Sequence, residues 1–288
     1  MHNYYGNLSI FLLYWNRGGS LMRTLGSIFL GRSLESSPRH LNKILFLDIE
    51  TAPNLAYVWG MWEQNVIDFK SQWYIMCFSA KNGEHITKGL PDYKGYKKGS
   101  EDDSKLVKEL WHLLDRAEIV VAQNGDAFDL KKINARFAYY NLPPPSPYRT
   151  VDTLKIARKY FAFSSNKLYH LGDLLGYGRK LEHEGFPLWK RCMSGDLEAW
   201  KKMKAYNKRD VILLEKVYYR FLPWIKNHPN LDNYSENTVC PKCGSRELQK
   251  RGIIYKQSTK YQQIWCKNCN GWSRSPLNIN EKRPIISI

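Results

Sequence analysis

Four cysteines near the C-terminus constrain the fold of this 288-residue chain more than any other feature. They form two C-x-x-C pairs, Cys240/Cys243 and Cys266/Cys269, with 22 residues between the pairs. Four thiolates at this spacing close a tetrahedral zinc site, and Gly244 suits the positive φ of a tight knuckle. Fewer than 50 residues rarely build a sufficient core without such support. We therefore expect one structural Zn²⁺, with paired strands between the two cysteine pairs.

The charge balance favours a polyanionic partner. The chain has 44 Lys and Arg against 27 Asp and Glu, a formal charge of +17, and nucleic acid is the commonest polyanion that such a surface attracts. The aromatic content of 14% excludes disorder of the whole chain. The apolar stretch at residues 8–15 is too short to span a membrane, and no signal peptide is evident. We expect a cytoplasmic protein with reduced thiols and no membrane partner, translated from Met1 or Met22.

Hydrophobic periodicity predicts an α/β fold, a mixed sheet flanked by helices. The predicted strands lie at residues 42–48, 73–80, 85–90 and 118–122, and the predicted helices at 103–116, 130–140, 153–160, 168–175 and 197–219. Six of the eight tryptophans outside the C-terminal unit, Trp62 among them, are interpreted as core or interface packing. The predicted organisation is a poorly structured extension at 1–40, an α/β domain at 41–226, a linker at 227–237 and a small β unit at 238–288.

The first acidic motif ends a predicted buried strand. Asp48 and Glu50 are two residues apart, so strand alternation puts both carboxylates on one face, where they can bind one cation. A second D-x-E pair, Asp196 and Glu198, begins the long predicted helix. Asp196 there is interpreted as a helix cap, as is Asp152 before its own helix.

Two further polar motifs follow the first. Asn124, Asp126 and Asp129 come directly after the strand at 118–122, and a carboxyl strand end is where α/β sheets usually carry chemistry. Asp129 is favoured as the functional acid and Asp126 as a helix cap. Tyr206 and Asp210 are four residues apart in the long helix, so they share one helix face.

The ordered set of three motifs resembles the DEDD 3′–5′ exonuclease superfamily, which has a ribonuclease-H-like fold. The residues that carry the resemblance are Asp48 and Glu50 in LFLDIET, Asn124 and Asp129 in QNGDAFD, and Tyr206 and Asp210 in YNKRD. A tyrosine four residues before the last Asp is similar to the DEDDy branch. The resemblance covers residues 43–225 and is strongest to YprB-like, DnaQ-like exonucleases, which phages often encode. A phage-encoded chain would act in the host cytoplasm.

The resemblance implies catalysis by two Mg²⁺ or Mn²⁺ ions. Asp48, Glu50 and Asp210 would hold one ion, while Asp48 would bridge to a second that Asp129 holds through water. Two such ions activate the attacking water and stabilise the leaving oxygen. Tyr206 would orient or help deprotonate that water.

Substrate contacts follow from the same resemblance. Thr51 and Asn124 match positions that contact the terminal nucleotide or the metal-bound water. The expected activity is 3′–5′ exonucleolytic hydrolysis of nucleic acid, with single-stranded DNA favoured and RNA possible. Two alternatives stay open at this point: a ribonuclease or structure-selective endonuclease on the same fold, and a nucleic-acid-binding protein whose nuclease site is inactive.

The C-terminal unit resembles a zinc ribbon. Its basic side chains are interleaved with four aromatic ones, a composition typical of single-strand binders. The residues concerned are Lys250, Arg251, Lys256, Lys260, Lys267 and Arg274 with Tyr255, Tyr261, Trp265 and Trp272. Binding of nucleic acid is the favoured role of the ribbon, and docking to a protein, such as a replication or repair protein, is the alternative.

Overall fold

The computed structural model describes residues 43–62, 65–178, 184–281 and 285–286. The predicted extension at 1–40, with both possible start residues, lies outside these ranges. Among the described helices, none combines the length and the apolar character that a membrane crossing requires.

Within the described ranges the chain forms ten strands and six α-helices, numbered in chain order. The strands are β1 Ile44–Thr51, β2 Leu55–Tyr57, β3 Asp68–Ser71, β4 Ile75–Asn82, β5 Glu84–Gly89, β6 Ile119–Ala122, β7 Arg149–Asp152, β8 Leu248–Tyr255, β9 Lys260–Cys266 and β10 Trp272–Asn278. The helices are α1 Ser104–Asp115, α2 Asp129–Tyr139, α3 Thr153–Tyr160, α4 Leu168–Leu174, α5 Phe186–Met193 and α6 Leu197–Phe221.

The main sheet has five strands in the order β5-β4-β1-β6-β7. Strands β4 and β5 run antiparallel to their neighbours, whereas β1, β6 and β7 are parallel. The central strands β1, β4 and β6 are almost continuously apolar because helices cover both faces of the sheet. The predicted fold class, a mixed sheet flanked by helices with a small C-terminal β unit, is confirmed.

Strand alternation divides the core into two layers. Leu45, Leu47 and Ile49 of β1 pack on one face, while Ile44 and Phe46 pack on the other. Helix α6 contributes to both layers, because its first half packs in the layer of Leu45 and its second half in the layer of Phe46. The helix therefore contacts β1, the strand that carries the first acidic motif.

Most predicted elements are present, and five observed strands and helices were missed. The hairpin β2–β3, the strands β7 and β10 and helix α5 were not predicted. Asp152 and Asp196 cap α3 and α6 as predicted, since each carboxylate accepts hydrogen bonds from the first helical turn. The cap assigned to Asp126 is wrong: Phe128 occupies the N-cap position of α2, and Asp126 pairs with Lys155 at 2.7 Å.

The C-terminal strands form a separate sheet in the order β10-β9-β8. Pro241 and Lys242, which lie between Cys240 and Cys243, contact the segment that follows α6. Lys242 Nζ donates a hydrogen bond to the Pro223 carbonyl at 2.5 Å, and the Leu231 amide donates to the Pro241 carbonyl at 2.9 Å. Leu231 is buried within the predicted linker. The predicted domain boundaries stay predictions.

Candidate active site and cysteine centre

Three carboxylates from two elements meet at the end of β1. Asp48 and Glu50 come from the strand, and Asp210 comes from α6, which crosses it. One ligand oxygen from each lies within 4.8 Å of the others. Three hard oxygen donors at this separation fit a divalent cation such as Mg²⁺ or Mn²⁺.

The surroundings of Asp48 disfavour its negative charge, which a bound cation would compensate. Burial raises the pKa of Asp48 well above its usual range, and the charges of Asp129, Glu50 and Asp210 raise it further. A hydrogen bond from Asn207 lowers the pKa of Asp48. Like charges are costly at this distance unless a cation compensates them, so the donor set fits a metal ion.

Asp129 is the fourth acid of the site. It is only 3% exposed at the start of α2, and its Oδ1 accepts a hydrogen bond from the Ile49 amide at 3.1 Å, between the two acidic residues of β1. Burial raises its pKa to about 7. Asn124 stands at the preceding turn with a left-handed φ of 62°, a conformation that Asn tolerates better than most residues. The backbone amide of Asn124 donates a hydrogen bond to Asp152 Oδ1 at 3.0 Å.

Tyr206 lies one helical turn before Asp210 and is 8% exposed. Burial raises the pKa of its phenol far above the usual value, and the charges of Asp210 and Glu50, with a hydrogen bond to Asp210, add to the rise. The phenol is therefore protonated at neutral pH and serves as a hydrogen-bond donor. Trp189 of α5 packs against it edge-on, with ring centroids 6.4 Å apart.

The comparisons with known proteins agree with this geometry. A model of the RNase H superfamily matches residues 45–222, a range that includes all four acids and Tyr206. The chain belongs to the RNase H superfamily. No curated protein matches its sequence. Membership of the RNase H superfamily indicates a nuclease-type function that depends on divalent metal ions.

Sequence reasoning missed one residue inside this RNase H superfamily site. Asn207 is fully buried, and its side-chain amide donates to Asp48 Oδ2 at 2.6 Å. The residue lies in the YNKRD motif, but the motif comparison assigned no role to it. The sequence indicated this role of Asn207 only by a polar residue next to Tyr206, on a helix expected to be half buried.

A cleft of about 730 Å³ opens beside the acids. Besides Asp48, Tyr206 and Asp210, its wall includes Arg158, Lys167 and Tyr169. The segment after α3 is held there by Gln123, whose side-chain amide donates to the Asn166 carbonyl at 2.8 Å. The cleft of this RNase H superfamily chain thus combines an acidic floor with cationic and aromatic walls, which suits a nucleic-acid strand.

A second cavity of about 410 Å³ begins at Thr51, next to Glu50. Its wall is aromatic and includes Trp73, Phe186 and Trp189. Lys132 lines the same cavity, with its Nζ 3.7 Å from the centroid of the Trp73 ring. Thr51 therefore lies between the acids and an aromatic cavity.

The four cysteines converge as their spacing predicts. Their sulfurs lie within 4.8 Å of one another, and the Cys240–Cys269 and Cys243–Cys266 distances are both 3.7 Å. Tetrahedral zinc with bonds of about 2.3 Å places its sulfurs about 3.8 Å apart, so the cluster fits zinc. Gly244 has a φ of 70°, the left-handed conformation expected at the knuckle.

Proposed function

We propose that this protein is a metal-dependent 3′–5′ exonuclease that hydrolyses nucleic acid, with single-stranded DNA as the favoured substrate. The observation that carries the proposal is the placement of Tyr206 next to Asp210, within a site where Asp48, Glu50 and Asp210 share one cation position. The same order of motifs defines the DEDDy resemblance in the sequence.

The proposed ligand roles follow the positions of the acids. Asp48, Glu50 and Asp210 would hold one Mg²⁺ or Mn²⁺, and Asp129 would support a second through water, with Asp48 between the two. Such a pair of ions supplies Lewis-acid stabilisation of the attacking and leaving oxygens. The buried Asp129 and Asn207 hold β1 and the Asp48 carboxylate in place for that role.

The protein's own residues position the reacting groups. Tyr206 lies beside Asp210, where its phenol would orient the attacking water by hydrogen bonding or help deprotonate it. The water oxygen bonds to phosphorus, and the bond from phosphorus to the 3′-oxygen of the preceding nucleotide breaks. The products are a nucleoside 5′-monophosphate and a strand one nucleotide shorter.

Cations along the protein surface would hold the strand. Arg158 and Lys167 line the cleft, where they can contact phosphates, and Tyr169 offers a ring to a base. In the ribbon, the Arg274 guanidinium lies 3.8 Å from the centroid of Tyr261, and that of Arg251 lies 4.6 Å from that of Trp265. We propose that the ribbon, folded around one Zn²⁺, contributes these arginines to nucleic-acid binding.

A time course on strands labelled at the 5′ end tests the proposal. DNA and RNA oligonucleotides of equal sequence are incubated with Mg²⁺, with Mn²⁺ or without added metal, and Asp48→Asn serves as the control for contaminating nucleases. A metal-dependent ladder that shortens from the 3′ end, absent in the variant, is expected. Internal fragments would indicate an endonuclease instead, and intact strands despite saturable binding would indicate a binding protein.

A further inference from the structure

The hairpin β2–β3 exposes a group of large apolar side chains that the proposed chemistry does not use. Trp59, Met61 and Trp62 at its tip are 91%, 87% and 81% exposed. Trp62 is therefore not a core residue, and of its interpretation as core or interface packing only the interface part stays a prediction. Val58 and Ile67 beside them are about half exposed. Full exposure of two tryptophans and a methionine in one short segment is unusual for a surface with no binding role.

The base of the hairpin is anchored at the active site. Strand β2 begins four residues after Thr51, and between them the Ala52 amide donates a hydrogen bond to the Tyr74 carbonyl at 2.9 Å. The side chain of Asn54 accepts a hydrogen bond from the Trp73 amide, also at 2.9 Å. Asn54 and Trp73 both line the cavity that begins at Thr51, so both ends of the hairpin form its rim.

The position of the hairpin base limits how far the tip extends from the cavity. Strand β2 begins at Leu55, and Trp59 is four residues further along the chain. An extended chain advances about 3.3 Å per residue. The tip therefore stands up to about 13 Å beyond the rim of the cavity. This distance would bring the tip to the upstream nucleotides of a strand that leaves the acids along this cavity.

We propose that the hairpin tip is a stacking platform for unpaired nucleobases upstream of the scissile nucleotide. This inference rests on the proposed function, because that function places a nucleic-acid strand in the cleft. The tip segment, residues 57–67, has no Lys or Arg and a single acid, Glu63, although the chain as a whole has a formal charge of +17. Phosphates are thus held by the body of the protein, while the tip offers the neutral aromatic faces on which bases stack.

Binding to a normal and to an abasic strand tests the inference. The two probes are an oligothymidylate of about 16 nucleotides and an abasic strand of equal length, which keeps the phosphates but has no bases. Affinities are measured by fluorescence anisotropy with Ca²⁺ in place of Mg²⁺. The variant Trp59→Leu/Trp62→Leu keeps the tip apolar without its large aromatic faces, and Trp59→Phe/Trp62→Phe is the matched control.

The wild type is expected to bind the normal strand more tightly than the abasic strand. Stacking contributes about 1–3 kcal/mol per base, so the leucine variant should lose about tenfold or more in affinity for the normal strand. Its affinity for the abasic strand should change less than twofold, and the phenylalanine variant should recover most of the loss. Because both side chains are exposed, the melting temperatures of all three proteins should agree.

Several results would overturn the inference. One is a leucine variant that binds the normal strand as tightly as the wild type does, and another is an equal loss of affinity for both strands. A change from oligomer to monomer in sedimentation, with strand binding unchanged, would assign the tip to self-association. Failure of the proposed exonuclease function would differ from failure of this inference. In that case the wild type would bind strands with base-dependent affinity yet leave them intact in Mg²⁺ and Mn²⁺.

Discussion

The side-chain amide of Asn207 donates a hydrogen bond to Oδ2 of Asp48 at 2.6 Å, from α6 to β1. Both residues are at the junction where the long helix crosses the end of the central strand. The amide restrains one carboxylate oxygen and leaves the other available as a metal ligand. Residues that orient metal ligands in this way commonly affect metal affinity or activity by about 10–100-fold.

Asn207→Ala is therefore expected to lower nuclease activity by about 10–100-fold and to raise the Mg²⁺ concentration needed for half-maximal rate. The shift in metal dependence is the readout that separates positioning from mere loss of fold. Glu198→Gln, a change at the exposed start of the same helix, is the matched control and should leave both quantities unchanged. An Asn207→Ala protein with lower activity but an unchanged Mg²⁺ requirement would contradict the positioning role.

Metal binding should stabilise the folded protein. The three clustered carboxylates repel one another without a cation, and a ligand at about 100 times its dissociation constant contributes about 2.7 kcal/mol to the free energy of unfolding. Mn²⁺ should therefore raise the melting temperature of the wild type, and Asp210→Asn should respond much less. Calorimetry with and without Mn²⁺ measures both, and equal shifts for the two proteins would remove Asp210 from the ligand set.

Loss of zinc should affect more than the ribbon. Cys243 and Cys269 pack against the core layer that contains Tyr218 and Phe221 of α6, the helix that also carries Asp210. Cys240→Ser/Cys243→Ser is expected to release the zinc and to lower the melting temperature of the whole protein. Metal analysis and calorimetry on one sample test this. Stoichiometric zinc in the double variant would refute the ribbon assignment.

The buried ion pair between Asp103 and Arg136 should be important for stability. The Asp103 carboxylate is fully buried and accepts hydrogen bonds from Arg136, from the Tyr140 hydroxyl at 2.6 Å and from the Ile75 amide at 2.8 Å. Arg136→Ala leaves that charge without its main partner, so a loss of about 3–5 kcal/mol in the free energy of unfolding is expected.

A surface ion pair provides the control for this prediction. Lys201 and Glu198 are also paired, but both side chains are 71% exposed. Lys201→Ala should therefore change the free energy of unfolding by less than about 1 kcal/mol. Urea denaturation of the two variants gives the comparison, and similar losses for both would mean that burial does not set the strength of the Asp103 pair.

Burial of His228 should make stability depend on pH. Its environment lowers its pKa from 6.5 to about 4, chiefly through burial, so the folded state keeps the imidazole neutral while the unfolded chain takes up a proton below pH 6.5. This contribution is complete above pH 6.5 and is lost as the pH falls towards 4. It amounts to about 3 kcal/mol, at about 1.4 kcal/mol per pKa unit.

His228→Gln isolates that contribution, because Gln does not titrate and can still hydrogen-bond to the Tyr218 hydroxyl. The histidine Nε2 lies 2.7 Å from that hydroxyl in the wild type. Between pH 7 and pH 4 the free energy of unfolding should fall less steeply for the variant than for the wild type. Parallel curves would show that His228 does not titrate differently in the two states.

The sequence alone determined the features that depend on short spacings. Two residues along a strand bring Asp48 and Glu50 to one face, four residues along a helix align Tyr206 with Asp210, and the C-x-x-C pairs form knuckles. Short apolar runs likewise predicted the central strands, and a long helical stretch predicted α6. These relationships are local, so the geometry of a single element sets them.

Tertiary structure decided what crosses between elements. The bond from Asn207 to Asp48 joins residues 159 positions apart, and that from Ile49 to Asp129 spans 80. The hairpin β2–β3 has too few buried residues to show strand periodicity, and the exposed Trp62 was interpreted as core or interface packing. Exposure and long-range partners depend on how helices pack on the sheet, and no local pattern records that packing.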